Sequence, residues 1–310
     1  MIITQRRAWR LLALLTVILA AATFIFTFVP RVLAFAQLFG VFGEHSGTKI
    51  TQVEIATRGA DGREPVVPRI LHQIFHNWRD PNDDRLPEDW EEAHQTCVLL
   101  NPEWEHKLWT SRNSRKFIEE QYPWFLPTYD GYRYPIQRVD ALKYFILRHY
   151  GGIYIDLDNG CAESLDPLRY YPAFTTDGGM GALSNNILGG QPEHPWFHLL
   201  TNNLIPYDWN WLLPYVVVMY CTGQWYVTAI FEKYHSLLAA DGTVRGFDGV
   251  GWAPLHHILM DGRPGADPWV FFTQSSLPVL LCKRTWEGRD AQLVPPGLLH
   301  SHPQSPSTHS

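Results

Sequence analysis

An α/β domain with a Rossmann-like sheet, held behind an N-terminal membrane helix, is the architecture that this sequence predicts. Three observations predict it. Leu11 to Val29 is an uninterrupted run of 19 residues without a charge. Segments with helical and strand periodicity alternate over residues 67–200, as in α/β folds. Between Ile136 and Asp158 a helical pattern, a double glycine and a short apolar strand follow one another directly.

The composition suits such a domain. With 310 residues the chain has room for one large domain or two small ones, and 45% hydrophobic against 18% charged residues is the balance of a packed core. The formal charge of -6, with no run of Lys and Arg, argues against a nucleic-acid partner. Cys97, Cys161, Cys221 and Cys282 form no CxxC pair and hence no zinc ribbon. In an oxidising compartment one or two disulfides are open to them, and the spacing does not assign the pairs.

At 1.5 Å per residue the run from Leu11 to Val29 spans about 28 Å, close to the hydrocarbon thickness of a bilayer. A cleaved signal peptide with its site at Ala34-Phe35-Ala36 is the competing reading, but the run exceeds the usual signal length. Arg6, Arg7 and Arg10 precede it and only Arg31 follows closely, so the amino terminus is expected in the cytoplasm and the rest of the chain beyond the membrane. Residues 1–42 thus read as tip and anchor. The polar, glycine-containing residues 43–66 read as a stem, 67–274 as the catalytic domain and 275–310 as an irregular tail.

Within the domain, Ile70 to Phe75 reads as a first strand after Pro68. Leu86 to Leu100 carries a helical pattern bounded by Pro87 and Asn101-Pro102. Glu105 to Trp109 reads as a strand, and Ser111 to Tyr122 as a helix that Pro123 stops. From Ile136 to Tyr150 the apolar residues Val139, Leu142, Phe145, Ile146 and Tyr150 repeat at helical spacing, and Gly151-Gly152 ends the helix. Ile153 to Leu157 then alternates as a buried strand. Ile205 to Tyr234 is aromatic, nearly uncharged and broken by Pro206, Pro214 and Gly223, so it makes no clean spanning helix. A membrane-facing surface and an ordinary core are equal readings of that stretch.

The chemistry concentrates at Asp156-Leu157-Asp158. On a strand, residues two apart share a face, so both carboxylates are expected to converge on one Mn²⁺ or Mg²⁺ ion. Such an ion neutralises a departing diphosphate, which points to transfer from a nucleotide sugar. A carboxylate pair alone is weak; here it ends an apolar strand after a helix and two glycines. Asp140 and Lys143 lie one turn apart on the preceding helix. They are expected to reach sugar hydroxyls and phosphate respectively, against the plainer reading of a surface ion pair. Tyr154 is either a donor contact or core. His72 reads as a core histidine, and the adjacent His256 and His257 as a poor metal pair.

The segments PRILHQIF, QRVDALKY and GGIYIDLDNGC resemble glycosyltransferase family 32, and YPIQRVDALKYFILRHYGGIYIDLDNGC is similar to its fungal mannosylinositol phosphorylceramide synthases. That resemblance implies a GT-A fold and a Golgi membrane enzyme. It implies a mannosyltransferase that retains anomeric configuration, with Mn²⁺ as cofactor, GDP-mannose as donor and inositol phosphorylceramide as acceptor. It also implies a regulatory membrane subunit as partner, and donor contacts from Asp140, Tyr154, Asp156 and Asp158. A protein-linked N-glycan is the rival acceptor. The family's arginine is Lys143 here, and its Thr-Gly-Pro is Thr222-Gly223-Gln224. No Gly-Ser-x-Trp-His element follows Phe272, which makes a catalytically impaired homologue the third reading.

Overall fold

The computed structural model describes residues 2–40, 45–51, 54–55, 62, 64–177, 181–238, 256–258 and 270–272. Helix α1 runs from Ile2 to Leu38. Its part from Trp9 to Leu38 is long and apolar enough to cross a membrane. At about 1.5 Å per residue a helix of 30 residues is longer than the roughly 30 Å of a hydrocarbon core.

The domain is built on a mixed seven-stranded sheet. Its strands are β1 (Thr48–Ile50), β2 (Ile70–Phe75), β3 (Glu105–Thr110), β4 (Gly152–Ile155), β6 (Ala173–Asp177), β7 (Leu183–Gly190) and β8 (His256–Ile258). They lie in the order β1-β8-β6-β7-β4-β2-β3. Strand β7 runs antiparallel to both its neighbours, and all other pairings are parallel. Strands β5 (Asn159–Cys161) and β9 (Val270–Phe272) form a separate antiparallel pair.

Alternation along the strands sends side chains to two cores. Tyr154 packs with the helices of one face, α3 (Ser111–Gln121), α5 (Pro135–Tyr150), α6 (Pro195–Tyr207) and α8 (Gln224–Leu237). Ile153 and Ile155 face the other way, toward Leu71, Phe174 and Cys97 of α2 (Glu88–Leu100). A short helix, α4 (Leu126–Gly131), precedes α5, and α7 (Pro214–Cys221) precedes α8. Helix α5 is the central one. Apart from Arg138, every residue from Gln137 to Leu147 is buried, including the polar Gln137, Asp140 and Lys143.

The α/β class and the helix–glycine–strand unit are as the sequence predicts. Three expectations are revised. Residues 43–66 were expected to be a stem, yet Thr48–Ile50 pairs in parallel with His256–Ile258 and belongs to the main sheet. Strand β4 was expected to reach Leu157, but it ends at Ile155 because Asp156 bonds back through its carbonyl to the amide of Asn159. Asp156 and Asp158 therefore occupy a turn rather than one face of a strand. The Cys97–Cys161 bond, unassigned by spacing, joins α2 to β5 just beyond that turn. Residues 275–310 and Cys282 lie outside the described residues.

Candidate active site

The double glycine places the site. Gly151 and Gly152 have φ of 64° and 93°, a region that costs any other residue strain. A Cβ on Gly152 would lie 2.5 Å from the carbonyl oxygen of Ile70. The turn is held from beside by His72, whose Nε2 lies 2.9 Å from the Gly151 carbonyl while the Trp109 indole donates to its Nδ1 at 3.1 Å. Burial pushes the His72 pKa down to about 4, so the ring is neutral and donates through Nε2. His72 is the core histidine that its strand context predicts.

Beyond β4, the backbone of Asp156 is fixed by β7: its amide donates to the Asn186 carbonyl at 2.9 Å. Its side chain is fixed from β4 and α5. The Tyr154 hydroxyl donates to Asp156 Oδ1 at 2.6 Å, and Lys143 Nζ meets the same oxygen at 2.9 Å. Among the described residues none bonds Oδ2. Lys143 also lies 3.3 Å from Asp140 Oδ1 and donates to the Asn185 carbonyl at 3.3 Å. Asp140 is closed off in turn. Asn185 Nδ2 donates to its Oδ1 at 2.9 Å and the Thr222 hydroxyl to its Oδ2 at 3.1 Å.

Asp140, Lys143, Tyr154 and Asp156 therefore form one hydrogen-bonded network, with Asp158 close enough to feel its charge. The plain surface ion pair is excluded, because Asp140 is 4% and Lys143 3% exposed. The three protons of an ammonium are matched by three acceptors, so in this arrangement Lys143 has none left for a phosphate. Asp140 likewise has both oxygens engaged. Both residues support Asp156 from beneath.

Electrostatics follow from this burial. Desolvation pushes Asp140 up to about 6, against the pull of Lys143 and with the charge of Asp156 adding to the rise. Asp158 is pushed up to about 7, by burial first and by Asp156 second. Burial alone would lower Lys143, but the carboxylates of Asp156 and Asp140 outweigh it and hold the ammonium charged. One ammonium among three carboxylates leaves a formal deficit of two positive charges at this spot. Two carboxylates with hard oxygens, whose full ionisation would leave a double negative charge uncompensated, are a donor set that fits a divalent cation. Among the described residues no cluster of three or more acidic, His or Cys side chains joins them. The side chain of Asn159, buried directly after Asp158, has neither polar atom bonded among the described residues.

Asn185 and Thr222 were not singled out for this site from sequence, although both close it. Two adjacent asparagines inside the apolar strand β7 are the signal that was available, since buried amides need partners. Thr222 stood in the Thr222-Gly223-Gln224 segment without a role. His256 and His257 occupy consecutive positions of β8.

The family described as a glycosyltransferase sugar-binding region containing a DXD motif matches residues 87–175, which include all five predicted site residues. A mannosyl phosphorylinositol ceramide synthase of Saccharomyces cerevisiae is 41% identical over 60% of this chain and 47% of its own length. Inositol phosphoceramide mannosyltransferase 1 of Schizosaccharomyces pombe is 33% identical over 68% of this chain and 67% of its own. The chain spans about half the length of most curated relatives it matches. Among solved structures, a PaToxG glycosyltransferase aligns with 67% of this chain and 81% of its own at 14% identity and a TM-score of 0.40.

Proposed function

This chain belongs to glycosyltransferase family 32, the family of the DXD sugar-binding region, and from that premise we propose that it transfers mannose from GDP-mannose to inositol phosphorylceramide. The observation that carries the metal-dependent part is the charge deficit around Asp156 and Asp158. These two carboxylates would hold Mn²⁺, or Mg²⁺, and the bound ion supplies charge neutralisation for a departing diphosphate. The chain's own groups prepare that position. Tyr154 and Lys143 fix Asp156 through Oδ1 and leave Oδ2 for the ion. Asp140 keeps Lys143 in place, and Asn185 and Thr222 keep Asp140 in place. In this reading Asp140, Lys143 and Tyr154 serve donor binding by orienting the carboxylate that meets the metal–diphosphate unit.

The names of the relatives and the candidate membrane span at the amino terminus support this acceptor. A lumenal Golgi setting is supported by the arginines that precede the apolar run and by the Cys97–Cys161 bond, since disulfides persist in oxidising compartments.

The test is transfer from radiolabelled GDP-mannose in membranes carrying the full chain, with Mn²⁺ and with a chelator. We expect label in a ceramide lipid that is lost on chelation. Asp156→Ala should lower the rate by about 10³-fold, the several kcal/mol that a positioned metal provides. Label in protein-linked glycan instead would sink the lipid acceptor, and transfer unaffected by chelation would sink the metal.

A further inference from the structure

A cavity of about 320 Å³ opens where the membrane helix meets the globular domain. Phe26, Pro30 and Ala34 of α1 form one wall, and Tyr207, Trp211 and Tyr220 of the domain form the other. The two sides are clamped together just beyond it. The Phe35 ring lies 5.3 Å from Trp211 and 5.0 Å from Tyr220, and Phe39 lies 5.8 Å from Trp225. We propose that this groove seats the lipid acceptor, an anionic sphingolipid whose phosphate meets Arg31. The proposal deepens, and rests on, the lipid-acceptor reading above.

Four observations support that occupant. The first is depth. The uncharged run ends at Val29, so the groove walls from Phe26 to Ala34 straddle the outer boundary of the hydrocarbon and Arg31 stands at headgroup level. The second is charge. Arg31 lies in the groove wall with its guanidinium 4.4 Å from the Trp209 ring centre, and it has no carboxylate partner among the described residues. A phosphodiester is the complementary anion, and it suits the planar donor fork of arginine.

The third is backbone chemistry. Pro30 has no N–H to give to the carbonyl of Phe26, and a carbonyl at that depth needs a donor. A sphingolipid carries an amide N–H and a hydroxyl just below its phosphate, whereas a diacylglycerol lipid offers only ester oxygens there. The fourth is continuity with the active site. Tyr220 in the groove wall is two residues from Thr222, whose hydroxyl bonds Asp140, so about 3 Å along the chain axis separates the groove wall from the residues that close the donor site. Beside the groove, Leu212 and Leu213 are 85% and 63% exposed, the apolar rim expected of a mouth that faces lipid.

The test uses the full chain in nanodiscs containing an inositol-phosphate ceramide with a photoactivatable group near its amide. Crosslinks should map to residues 26–34 and 206–220. They should fall about tenfold with excess unlabelled lipid, and as far in Ala34→Trp, which fills the groove. Crosslinks spread along residues 11–25 without competition would mark ordinary boundary lipid and overturn the proposal. In turnover, Arg31→Gln should raise KM for the lipid about tenfold with kcat held, as loss of a charged hydrogen bond implies, and Arg31→Lys should recover part of it. An unchanged lipid KM in Arg31→Gln overturns the role of Arg31. Crosslinking needs no turnover, so the two readings fail separately. Groove labelling without mannose transfer refutes the proposed function alone, and mannosylation without groove labelling refutes the groove alone.

Discussion

Lys143 is the residue on which the site turns. Its ammonium is buried between Asp140 and Asp156, and a buried ion pair tolerates the loss of a partner badly. Lys143→Met should therefore cost about 3–5 kcal/mol, read as a lowered urea midpoint of the detergent-solubilised chain. Adding Asp140→Asn should restore part of that loss, because it removes one of the stranded carboxylates. If the two changes simply add, the pair is not coupled as the geometry requires. The sequence placed Asp140 and Lys143 on one helix face through their i,i+3 spacing. It did not show that this face is buried, because burial depends on what packs against it. The partners that close the network, Asn185 and Thr222, lie 45 and 82 residues from Asp140.

Elements carry the next level. Gly151-Gly152 is legible from sequence as a helix stop, and the structure adds its second purpose of letting β4 run against β2 at Ile70. Gly152→Ala would drive a methyl into a backbone oxygen at positive φ. Purified chain should lose about 2–3 kcal/mol of stability, the cost of a strained backbone position plus the displaced neighbour. Helix α6 shows a device that spacing did not reveal. Its N-cap is His194, whose Nδ1 accepts from the Trp196 amide at 3.2 Å. Burial, helped by His198, lowers its pKa to about 3, so the folded state keeps it neutral while the unfolded chain protonates near 6.5. Between these values the unfolded state binds more protons. The stability from His194 is thus fully present above pH 6.5 and is lost as pH falls toward about 3, at up to about 1.4 kcal/mol per pH unit. Asparagine caps equally well and does not titrate. Denaturation of His194→Asn should match the wild type at pH 7.5 and exceed it by about 1 kcal/mol at pH 5.5; equal stability at both pH values would contradict the assignment.

For the whole molecule, the organising contact is the bond between Cys97 and Cys161. It closes a loop with a separation of 64 residues and ties α2 to the strand that follows the carboxylate turn. Chain entropy predicts that Cys97→Ser costs about 4 kcal/mol, and it should lower the melting temperature of oxidised but not of reduced protein. An equal effect on both would show that packing at Cys97, not the bond, matters. The clamp between α1 and the aromatic helices belongs to the same scale. It divides the aromatic stretch from Ile205 to Tyr234, ambiguous in sequence, into a core part and an exposed part: Tyr226 and Phe231 are buried, whereas Tyr215, Leu212 and Leu213 are exposed.

The features that the sequence determined by itself are those with short-range causes. Periodicity marked helices α2, α3 and α5 and strands β2, β3 and most of β4, steric freedom marked the double glycine, and an uncharged run of bilayer length marked the candidate membrane span. Two carboxylates after an apolar strand marked the candidate site. Tertiary structure alone decided the rest. It moved the carboxylates from a strand face into a turn, drew residues 48–50 into the sheet, chose Cys161 as the partner of Cys97, and surrounded Lys143 with acceptors. The reason is physical. A turn hydrogen bond, a sheet register and above all desolvation depend on groups that are distant along the chain, and their energies exist only once the sheet has brought them together. The charge deficit at Asp156 and Asp158 is of this second kind: the residues were visible in the sequence, but the burial that makes them demand a cation was not.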